Sequence, residues 1–363
     1  MLTPERDAEI RDFLSRHGWA QATRIAFPGD ASTRRYERLI GVGRSAILMD
    51  APRANETGPC PPGATPEQRA QLGWSAVSRL AASRVEAFAA VAGHLRGLGL
   101  SAPEILAVDT PAGLAVVEDL GDDLFARIIP QSAAEDELYA EAARLLAAVH
   151  DAPIPEVLRA PDGETWPILD FDAVALRANV DLYVDWAPRF SPAMHVSEAA
   201  RAQWTVLTDA LIARAQASPA AFTIRDYHAE NLVWLPRRSG LRRIGLLDFQ
   251  DAVRGFRMWD FSMLLDDARR DVSPAARAAA LNTYAAQVGG RVRELDEELS
   301  VLSVLNVVRI LGIFARLVTR DAKPRYAAFM PRMRAHLARA LGDPELADLR
   351  RWFVAHAPQE LGE

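Results

Sequence analysis

The stretch Ile224–Leu235, IRDYHAENLVWL, places a cluster of polar side chains directly before an apolar run. Four chemically competent residues lie close together in it: Asp226, His228, Glu230 and Asn231. Such groups are costly to bury, whereas the Leu-Val-Trp-Leu that follows has the composition of a short β-strand. We therefore expect the polar cluster on a loop that a rigid strand holds in place, which is a common location for catalytic residues.

A second segment, LLDFQDA at Leu246–Ala252, ends another apolar run with Asp248. Phosphoryl transfer requires a protein to position a nucleophile and to neutralise charge. One carboxylate can accept the proton of the attacking hydroxyl, while an amide and a second carboxylate supply oxygen ligands for Mg²⁺. An Asp-x4-Asn loop followed by a strand and an aspartate is typical of kinase catalytic loops. Asp226, Asn231 and Asp248 fit this pattern; Asp226 and Asn231 as simple loop caps are the alternative.

The composition is that of an ordinary globular protein and argues against several classes. The chain has 363 residues, of which 50% are hydrophobic and 25% charged. Its net charge of −6 argues against a nucleic-acid-binding protein, whose surface would be basic. The single cysteine, Cys60, excludes a disulfide framework and a cysteine-based zinc site. We expect no run long and apolar enough to span a membrane, and the charged N-terminus is unlike a signal peptide. A cytoplasmic monomer is the resulting expectation.

Lysine is almost absent, since Lys323 is the single lysine among the 42 basic residues. A Walker A loop needs Gly-Lys followed by Ser or Thr, so this phosphate-binding loop is excluded. Catalysis by a lysine is excluded for the first 322 residues as well. A protein cation that holds a phosphate group is therefore expected to be an arginine.

The order of the predicted elements indicates an α+β fold with two lobes. Residues 1–120 combine strand and turn patterns with a long helical stretch that ends near Leu98, and Arg53–Pro66 has the composition of a mobile loop. Residues 121–363 are dominated by helical periodicity, over 135–150, 171–186, 196–216, 274–288, 295–320 and 325–341. We expect the small lobe to bind a nucleotide and the large lobe to carry the catalytic loop and the substrate site.

Several blocks resemble the aminoglycoside phosphotransferase-like kinases, most of all the anomeric N-acetylmuramate and N-acetylglucosamine kinases of cell-wall recycling. They span nearly the whole chain: GDASTRRYERL, VVEDLGDDLFARI, RDYHAENLVWL, LLDFQDAVRGF and RILGIFARLVTRDAKPRY. The resemblance implies a two-lobed protein-kinase-like fold, with ATP and Mg²⁺ as cofactors. It also implies Asp226 as the base and Asn231 and Asp248 as metal ligands. The backbone around Glu118 and Leu120 would hold the adenine.

The same resemblance implies that the acceptor is the anomeric hydroxyl of these two sugars. Another amino sugar or a choline-like alcohol is an alternative acceptor, and a catalytically inactive nucleotide-binding regulator is an alternative of a different class. One strand departs from the family pattern, because SAILMDAP has Met49 and Asp50 where many relatives carry a phosphate-binding lysine.

The missing lysine directs attention to the segment GDASTRRYERL. Its turn Gly29–Ser32, including Ser32, can offer backbone N–H groups to phosphate oxygens. Arg34 and Arg35 begin the next strand, and strand alternation sends their side chains to opposite faces. Only one of them can therefore point into the cleft between the lobes. In the alternative interpretation both are surface charges, and Mg²⁺ together with His228 suffices.

Further residues have both a functional and a structural interpretation. His228 either donates to a phosphate or sugar hydroxyl, or orders the loop. Glu86 either pairs with a small-lobe arginine or is an exposed helix acid, and Asp260 is expected to hold the catalytic loop from below.

An indole can stack on a pyranose ring, with core packing as the alternative. Three residues of one helix are candidates for sugar contact on this basis: Asp181, Asp185 and Trp186.

The segment LNVVRILGIFARLVTR is apolar except for a polar stripe on one helix face: Asn306, Arg309, Arg316 and Arg320. This stripe either pairs with internal acids, for which Asp266 and Asp267 are available, or faces a ligand. In the second case Arg309 or Arg316 would hold the lactyl carboxylate that N-acetylmuramate has and N-acetylglucosamine lacks.

Overall fold

The computed structural model describes residues 3–28, 34–52, 60–81, 84–131, 134–191 and 193–362. Ser32, the turn Gly29–Ser32 and residues 53–59 of the predicted loop lie outside these ranges.

A five-stranded antiparallel sheet forms the centre of the small lobe. Its strands are β1 Thr23–Ala26, β2 Arg35–Gly41, β3 Arg44–Asp50, β4 Ile105–Asp109 and β5 Leu114–Glu118. They lie in the order β1-β2-β3-β5-β4. Gly113 makes the tight turn between β4 and β5: its φ is 68°, and a Cβ there would lie 2.2 Å from the carbonyl oxygen of Ala51.

Both faces of this sheet are buried, because successive side chains of a strand point to opposite sides. Four helices belong to this part: α1 Pro4–Arg16, α2 Pro66–Leu72, α3 Trp74–Val77 and α4 Val85–Gly97. Leu48 of β3 packs in a small cluster with Phe13 of α1, whereas the next residue, Met49, joins the main core with Val91 of α4.

The long helical stretch predicted up to Leu98 is in fact three separate helices, so that prediction is wrong. Thr65 and Gln68 cap α2 reciprocally at its start, and Gly73, with φ of 96°, ends it. The chain leaves the helical conformation again after Val77. These breaks bring residues 78–81 against the catalytic loop.

Helices make up most of the large lobe. They are α5 Phe125–Ile128, α6 Glu135–Asp151, α7 Ala173–Phe190, α8 Glu198–Ala217, α9 Arg257–Leu265, α10 Pro274–Val288, α11 Val292–Thr319, α12 Met330–Ala340 and α13 Ala347–His356. Each helical segment predicted from periodicity corresponds to one of them, with shifted ends. Three short antiparallel strand pairs complete the lobe: β6 Val157–Arg159 with β7 Thr165–Pro167, β8 Ala220–Thr223 with β11 Val253–Phe256, and β9 Leu232–Trp234 with β10 Ile244–Leu246.

α11 runs through the core of the large lobe and packs closely on α7. A Cβ at Gly312 would lie 2.4 Å from the carbonyl carbon of Leu182, so the glycine allows the two helices to touch. By length and composition α11 could cross a membrane, so the expectation that the chain has no such run is wrong. Of its apolar window, 78% is buried inside the structure, as in the core helix of a globular protein.

The two lobes meet between Glu118, where the sheet ends, and Phe125, where the first helix of the large lobe begins. The main cluster of buried side chains continues across this junction, from Met49 to Phe353. The predicted α+β arrangement is confirmed. The assignment of residues 1–120 to nucleotide binding and of 121–363 to catalysis and acceptor binding stays a prediction.

Candidate active site

A buried carboxylate fixes the backbone at the start of the catalytic loop. Asp260 of α9 is fully buried and accepts hydrogen bonds from the backbone N–H groups of Ile224, at 2.9 Å, and Arg225, at 2.8 Å. The Nε2 atom of His150 lies 3.2 Å from the same carboxylate. The predicted structural role of Asp260 is confirmed.

Arg225 ties the catalytic loop to the segment between α3 and α4. Its backbone has a φ of 78°, a left-handed conformation that few non-glycine residues adopt. Its buried guanidinium donates to the carbonyl oxygens of Ser78, at 3.1 Å, and Arg79, at 2.9 Å. In the same segment the N–H of Ala81 donates to Asp251, at 2.6 Å. Both polar loops of the site thus rest on residues 78–81, a support that sequence patterns did not indicate.

The pairing of β9 with β10 brings Asn231 and Asp248 next to each other. Leu246 pairs with Leu232 in this ladder, and the N–H of Leu247 donates to the carbonyl oxygen of Asn231 at 2.9 Å. The Asn231 side chain in turn donates to the carbonyl oxygen of Asp226 at 2.9 Å. The structure therefore brings together the three residues predicted from the two loops.

Asp226 has the electrostatic surroundings of a proton acceptor. Burial raises the pKa of Asp226 to about 7, and the negative charge of Asp248 adds to the rise. The positive charge of Arg309 opposes it. A carboxylate with a raised pKa is a stronger base than an ordinary aspartate, which suits general-base catalysis near neutral pH.

His228 is buried beside these groups and presents one ring nitrogen to a cavity. Its Nε2 atom lies 3.3 Å from the Asn231 amide nitrogen, which can only donate, so Nε2 is the acceptor and Nδ1 carries the proton. Burial lowers the pKa of His228, which keeps the ring neutral at pH 7. Nδ1 has no hydrogen-bond partner among the described residues. His228 can therefore donate a hydrogen bond to a ligand.

The oxygen ligands at the site fit Mg²⁺. Asn231 uses its amide nitrogen for hydrogen bonding, and its side-chain oxygen accepts none from the part of the chain that the structure describes. The carboxylate of Asp248 is 38% exposed and faces the cleft. Mg²⁺ is commonly held by one or two such oxygens together with substrate phosphates. Within the described ranges, no group of three or more His, Cys, Asp or Glu side chains could hold a metal.

The side chains of Arg34 and Arg35 have different partners, and that of Arg34 lies in the cleft. The guanidinium of Arg34 is 9% exposed and lies 2.7 Å from Asp248 in the cleft. Arg35 is 41% exposed and pairs with Asp50, also at 2.7 Å. Gln250 donates to the same oxygen of Asp248 at 3.0 Å. Of the two arginines, Arg34 is thus the one next to the candidate metal ligands.

The hinge residues lie where the sheet meets the large lobe. Glu118 ends β5, and its side chain pairs with Arg238. The backbone N–H of Leu120 donates no hydrogen bond to any described residue, so this donor is available to a ligand. Adenine recognition by Glu118 and Leu120 stays a prediction.

A cavity of about 250 Å³ opens beside Asp226, between the catalytic loop, α9 and α11. One end is polar and the opposite wall is apolar. Its lining comprises Asp226, His228, Asp248, Met263, Asp266, Asp267, Ala268, Arg269, Arg309, Ile310, Ile313, Phe314, Leu317 and Tyr326. We refer to it as the acceptor cavity.

Arg309 is the member of the α11 polar stripe that reaches the acceptor cavity. It donates to the side-chain oxygen of Asn306 at 2.7 Å and lies 5.5 Å from the ring centre of Trp259. Burial lowers the pKa of Arg309 to about 10, at which the side chain is still charged at neutral pH. Asn306 donates in turn to Ser262 at 3.0 Å.

The predicted pairing of this stripe with Asp266 and Asp267 is wrong. Asp266 pairs instead with Arg339 and Arg277, because α12 and α10 bring these arginines closer to it than α11 does. Arg316 does not line the acceptor cavity and lies 5.5 Å from the ring centre of Trp74.

The other sugar-contact candidates lie away from the acceptor cavity. Asp181 accepts from the indole N–H of Trp204 at 3.1 Å, and Asp185 pairs with Arg201 at 2.8 Å. Trp186 lies against the guanidinium of Arg189, at 4.4 Å from the ring centre. None of the three candidates lines the acceptor cavity, and their contact with sugar stays a prediction.

Glu86 is buried and pairs with Arg84 at 3.0 Å, so the expectation of an exposed helix acid is wrong. Its partner is an arginine of the small lobe, as in the functional interpretation.

Comparisons with known proteins agree with this geometry. Residues 23–295 match a family described as the phosphotransferase enzyme family. A Caulobacter vibrioides protein named N-acetylmuramate/N-acetylglucosamine kinase is 50% identical, over 99% of this chain and 99% of the relative. A Pseudomonas aeruginosa protein of the same name is 30% identical, over 97% of this chain and 95% of the relative.

Among solved structures, a choline/ethanolamine kinase family protein from Mesorhizobium loti has a TM-score of 0.58 at 16% identity. The match covers 94% of this chain and 97% of that one. At this level of identity the likeness concerns the fold alone. It confirms the predicted two-lobed kinase architecture.

Proposed function

The chain belongs to the phosphotransferase enzyme family, and we propose that it transfers the γ-phosphoryl group of ATP to the anomeric hydroxyl of N-acetylmuramate and N-acetylglucosamine. The observation that carries the proposal is the convergence of Asp226, Asn231 and Asp248 beside the acceptor cavity, which Asp226 and Asp248 line. The two relatives named for both sugars match nearly the whole chain, including this region.

In the proposed reaction Asp226 takes the proton of the anomeric hydroxyl. The anomeric oxygen then forms a bond to the γ-phosphorus, the bond from that phosphorus to the β–γ bridging oxygen breaks, and ADP leaves. The raised pKa of Asp226 supports this role, because the group binds a proton readily near neutral pH.

Asn231 and Asp248 would hold Mg²⁺ through oxygen atoms. When bound, the ion neutralises charge on the phosphate groups. Arg34 takes the position of the absent lysine in this proposal, since its planar guanidinium can make two parallel hydrogen bonds to phosphate oxygens. Its distance of 2.7 Å from Asp248 supports the assignment. The backbone near Glu118 and Leu120 would hold adenine.

For the acceptor, we propose that Arg309 binds the lactyl carboxylate of N-acetylmuramate. Arg309 is partly buried and charged and lines the same cavity as Asp226, which supports this role. Besides its four acids the cavity contains two arginines, Arg309 and Arg269, and the names of the relatives favour the two sugars over a cationic alcohol.

The product would be a sugar 1-phosphate, and its use in nucleotide-sugar synthesis during cell-wall recycling is part of the proposal. The relatives' names support the sugar, and the need for ATP supports a cytoplasmic location. We expect the enzyme to act as a monomer.

ATP consumption with a panel of sugars tests the proposal. N-acetylglucosamine and N-acetylmuramate should be phosphorylated, whereas their methyl glycosides, which lack a free anomeric hydroxyl, should not. Equal turnover of free sugars and methyl glycosides would reject the anomeric hydroxyl as acceptor. A lack of turnover with both free sugars would reject the proposed substrates.

A further inference from the structure

Two neighbouring buried carboxylates after α9 differ in their ion pairs. Asp266 and Asp267 are 1% and 3% exposed. Asp266 pairs with Arg339 and has Arg277 at 3.5 Å, so its charge is compensated. In Asp267, one oxygen accepts the backbone N–H of Arg269 at 2.8 Å. In both residues the other oxygen, Oδ2, is buried without any hydrogen-bond partner in the described ranges, but Asp267, unlike Asp266, also forms no ion pair with a described residue.

A buried carboxylate oxygen without a partner destabilises a protein. An acid with a purely structural role is expected to be paired, as Asp266 is. Asp267 lines the acceptor cavity together with Asp226 and His228. A ligand in this cavity can therefore supply the hydrogen bond that the folded chain does not.

We propose that Asp267 is a specificity-determining residue whose Oδ2 accepts a hydrogen bond from an uncharged donor group of the acceptor sugar. This inference rests on the proposed function and adds a residue to the acceptor site. A carboxylate repels an anionic substituent, so the lactyl group would lie on the side of Arg309 instead. The donor must then be one that both sugars have. Because the lactyl ether occupies the C3 oxygen of N-acetylmuramate, the shared donors besides the reacting anomeric hydroxyl are the amide N–H and the hydroxyl groups at C4 and C6.

The Asp267→Asn variant separates this role from a structural one. Asparagine keeps a side-chain oxygen for the N–H of Arg269 and replaces Oδ2 with an amide that donates. A charge-assisted hydrogen bond lost in this way should lower kcat/KM for both sugars by about 10- to 100-fold. The ratio between the two sugars, the KM for ATP and the unfolding temperature should stay near those of the wild type.

Asp271→Asn is the matched control, since Asp271 is 81% exposed and pairs with Arg332 outside the cavity. It should behave like the wild type with both sugars. A change of less than two-fold in kcat/KM for both sugars in Asp267→Asn would overturn the inference. So would a loss confined to N-acetylmuramate.

Analogues of N-acetylglucosamine identify the donor. The 4-deoxy sugar, the 6-deoxy sugar and a derivative with the amide N–H replaced by an ester oxygen are compared in both enzymes. With the wild type, one of these analogues should be a poorer substrate than N-acetylglucosamine. With Asp267→Asn, the same analogue and N-acetylglucosamine should be used equally well. The inference is overturned if each analogue loses as much activity with the variant as with the wild type. It is also overturned if the wild type prefers free glucosamine over N-acetylglucosamine.

If Asp267→Asn does not fold, Asp267→Ser replaces it, because serine keeps an oxygen near the N–H of Arg269 and lacks Oδ2. The same outcomes then apply. Failure of the proposed function is distinguishable, because the wild type would then phosphorylate neither sugar.

Discussion

The two walls of the cleft at Asp226 are built in different ways. The catalytic wall, Ile224–Asp251, consists of two loops and the strands β9 and β10, and backbone hydrogen bonds fix its residues. The acceptor wall consists of side chains from α9, α11 and the residues that follow them. It depends on helix packing and contains charged side chains that are partly buried, such as Arg309, or fully buried, such as Asp267.

This difference separates reaction rate from substrate choice. Substitutions in the catalytic wall should affect all acceptors alike, because they change the proton acceptor or the phosphate environment. Substitutions in the acceptor wall should change sugar recognition: the preference between the two sugars at Arg309, and the use of both sugars at Asp267. Each prediction below tests this separation, from the largest expected effect to the smallest.

Replacement of Asp226 by Asn should have the largest effect. It keeps the shape of the side chain and removes the proton acceptor, which typically costs on the order of 10²–10⁴ in rate. Turnover with N-acetylglucosamine and N-acetylmuramate should fall by the same factor, with ATP affinity little changed. Near wild-type turnover would reject Asp226 as the base, and unequal losses would show that the walls are not separate.

Arg34→Ala and Arg35→Ala form a matched pair at the start of β2. Loss of a charge-assisted contact to phosphate should lower kcat/KM for ATP by about 10- to 100-fold in Arg34→Ala, equally with either sugar. Arg35→Ala should be nearly silent, since Arg35 pairs with Asp50 away from the cleft. Steady-state kinetics with varied ATP check this pair. If both variants behaved like the wild type, Arg34 would be rejected as the phosphate cation.

Arg309→Ala tests the acceptor wall. It should lower kcat/KM for N-acetylmuramate about ten-fold more than for N-acetylglucosamine, because only the first sugar has a carboxylate to bind. Arg309 also acts on the charge of Asp226, so both sugars lose some rate and the ratio between them is the informative quantity. Arg316→Ala is the control and should leave the ratio unchanged. An unchanged ratio in Arg309→Ala would contradict the assignment.

Gly312→Ala should affect the acceptor wall through packing alone. The added Cβ would meet the backbone of Leu182 in α7, and overpacking of this kind costs about 1–3 kcal/mol. Denaturant unfolding should show the loss, with KM for ATP unchanged and KM for sugar raised. Gly97→Ala in α4, where no atom lies within 4 Å of the new Cβ, is the control and should not destabilise the protein. An equally stable Gly312→Ala variant would refute the close contact of α7 and α11.

Local spacing explains why the catalytic wall was predictable. Asp226 and Asn231 lie on one loop, and a single strand pair brings Asp248 beside them, so short-range sequence was sufficient. Strand alternation likewise predicted that Arg34 and Arg35 diverge.

The acceptor wall depends on contacts between residues far apart in the chain. Sequence periodicity showed a polar stripe on α11. It could not show that Arg339 and Arg277 pair with Asp266 and leave Asp267 unpaired. The contact of Arg225 with Ser78 depends on the tertiary fold in the same way, whereas the helix end at Gly73 has a local signal in the glycine itself.

The most direct test of the central claim is phosphorus NMR of the product formed from N-acetylglucosamine and ATP. Transfer to the anomeric hydroxyl predicts one sugar phosphate whose phosphorus couples to the single anomeric proton, together with an equal amount of ADP. A phosphorus that couples instead to the two protons at C6 would contradict the account, because the product would then be a 6-phosphate.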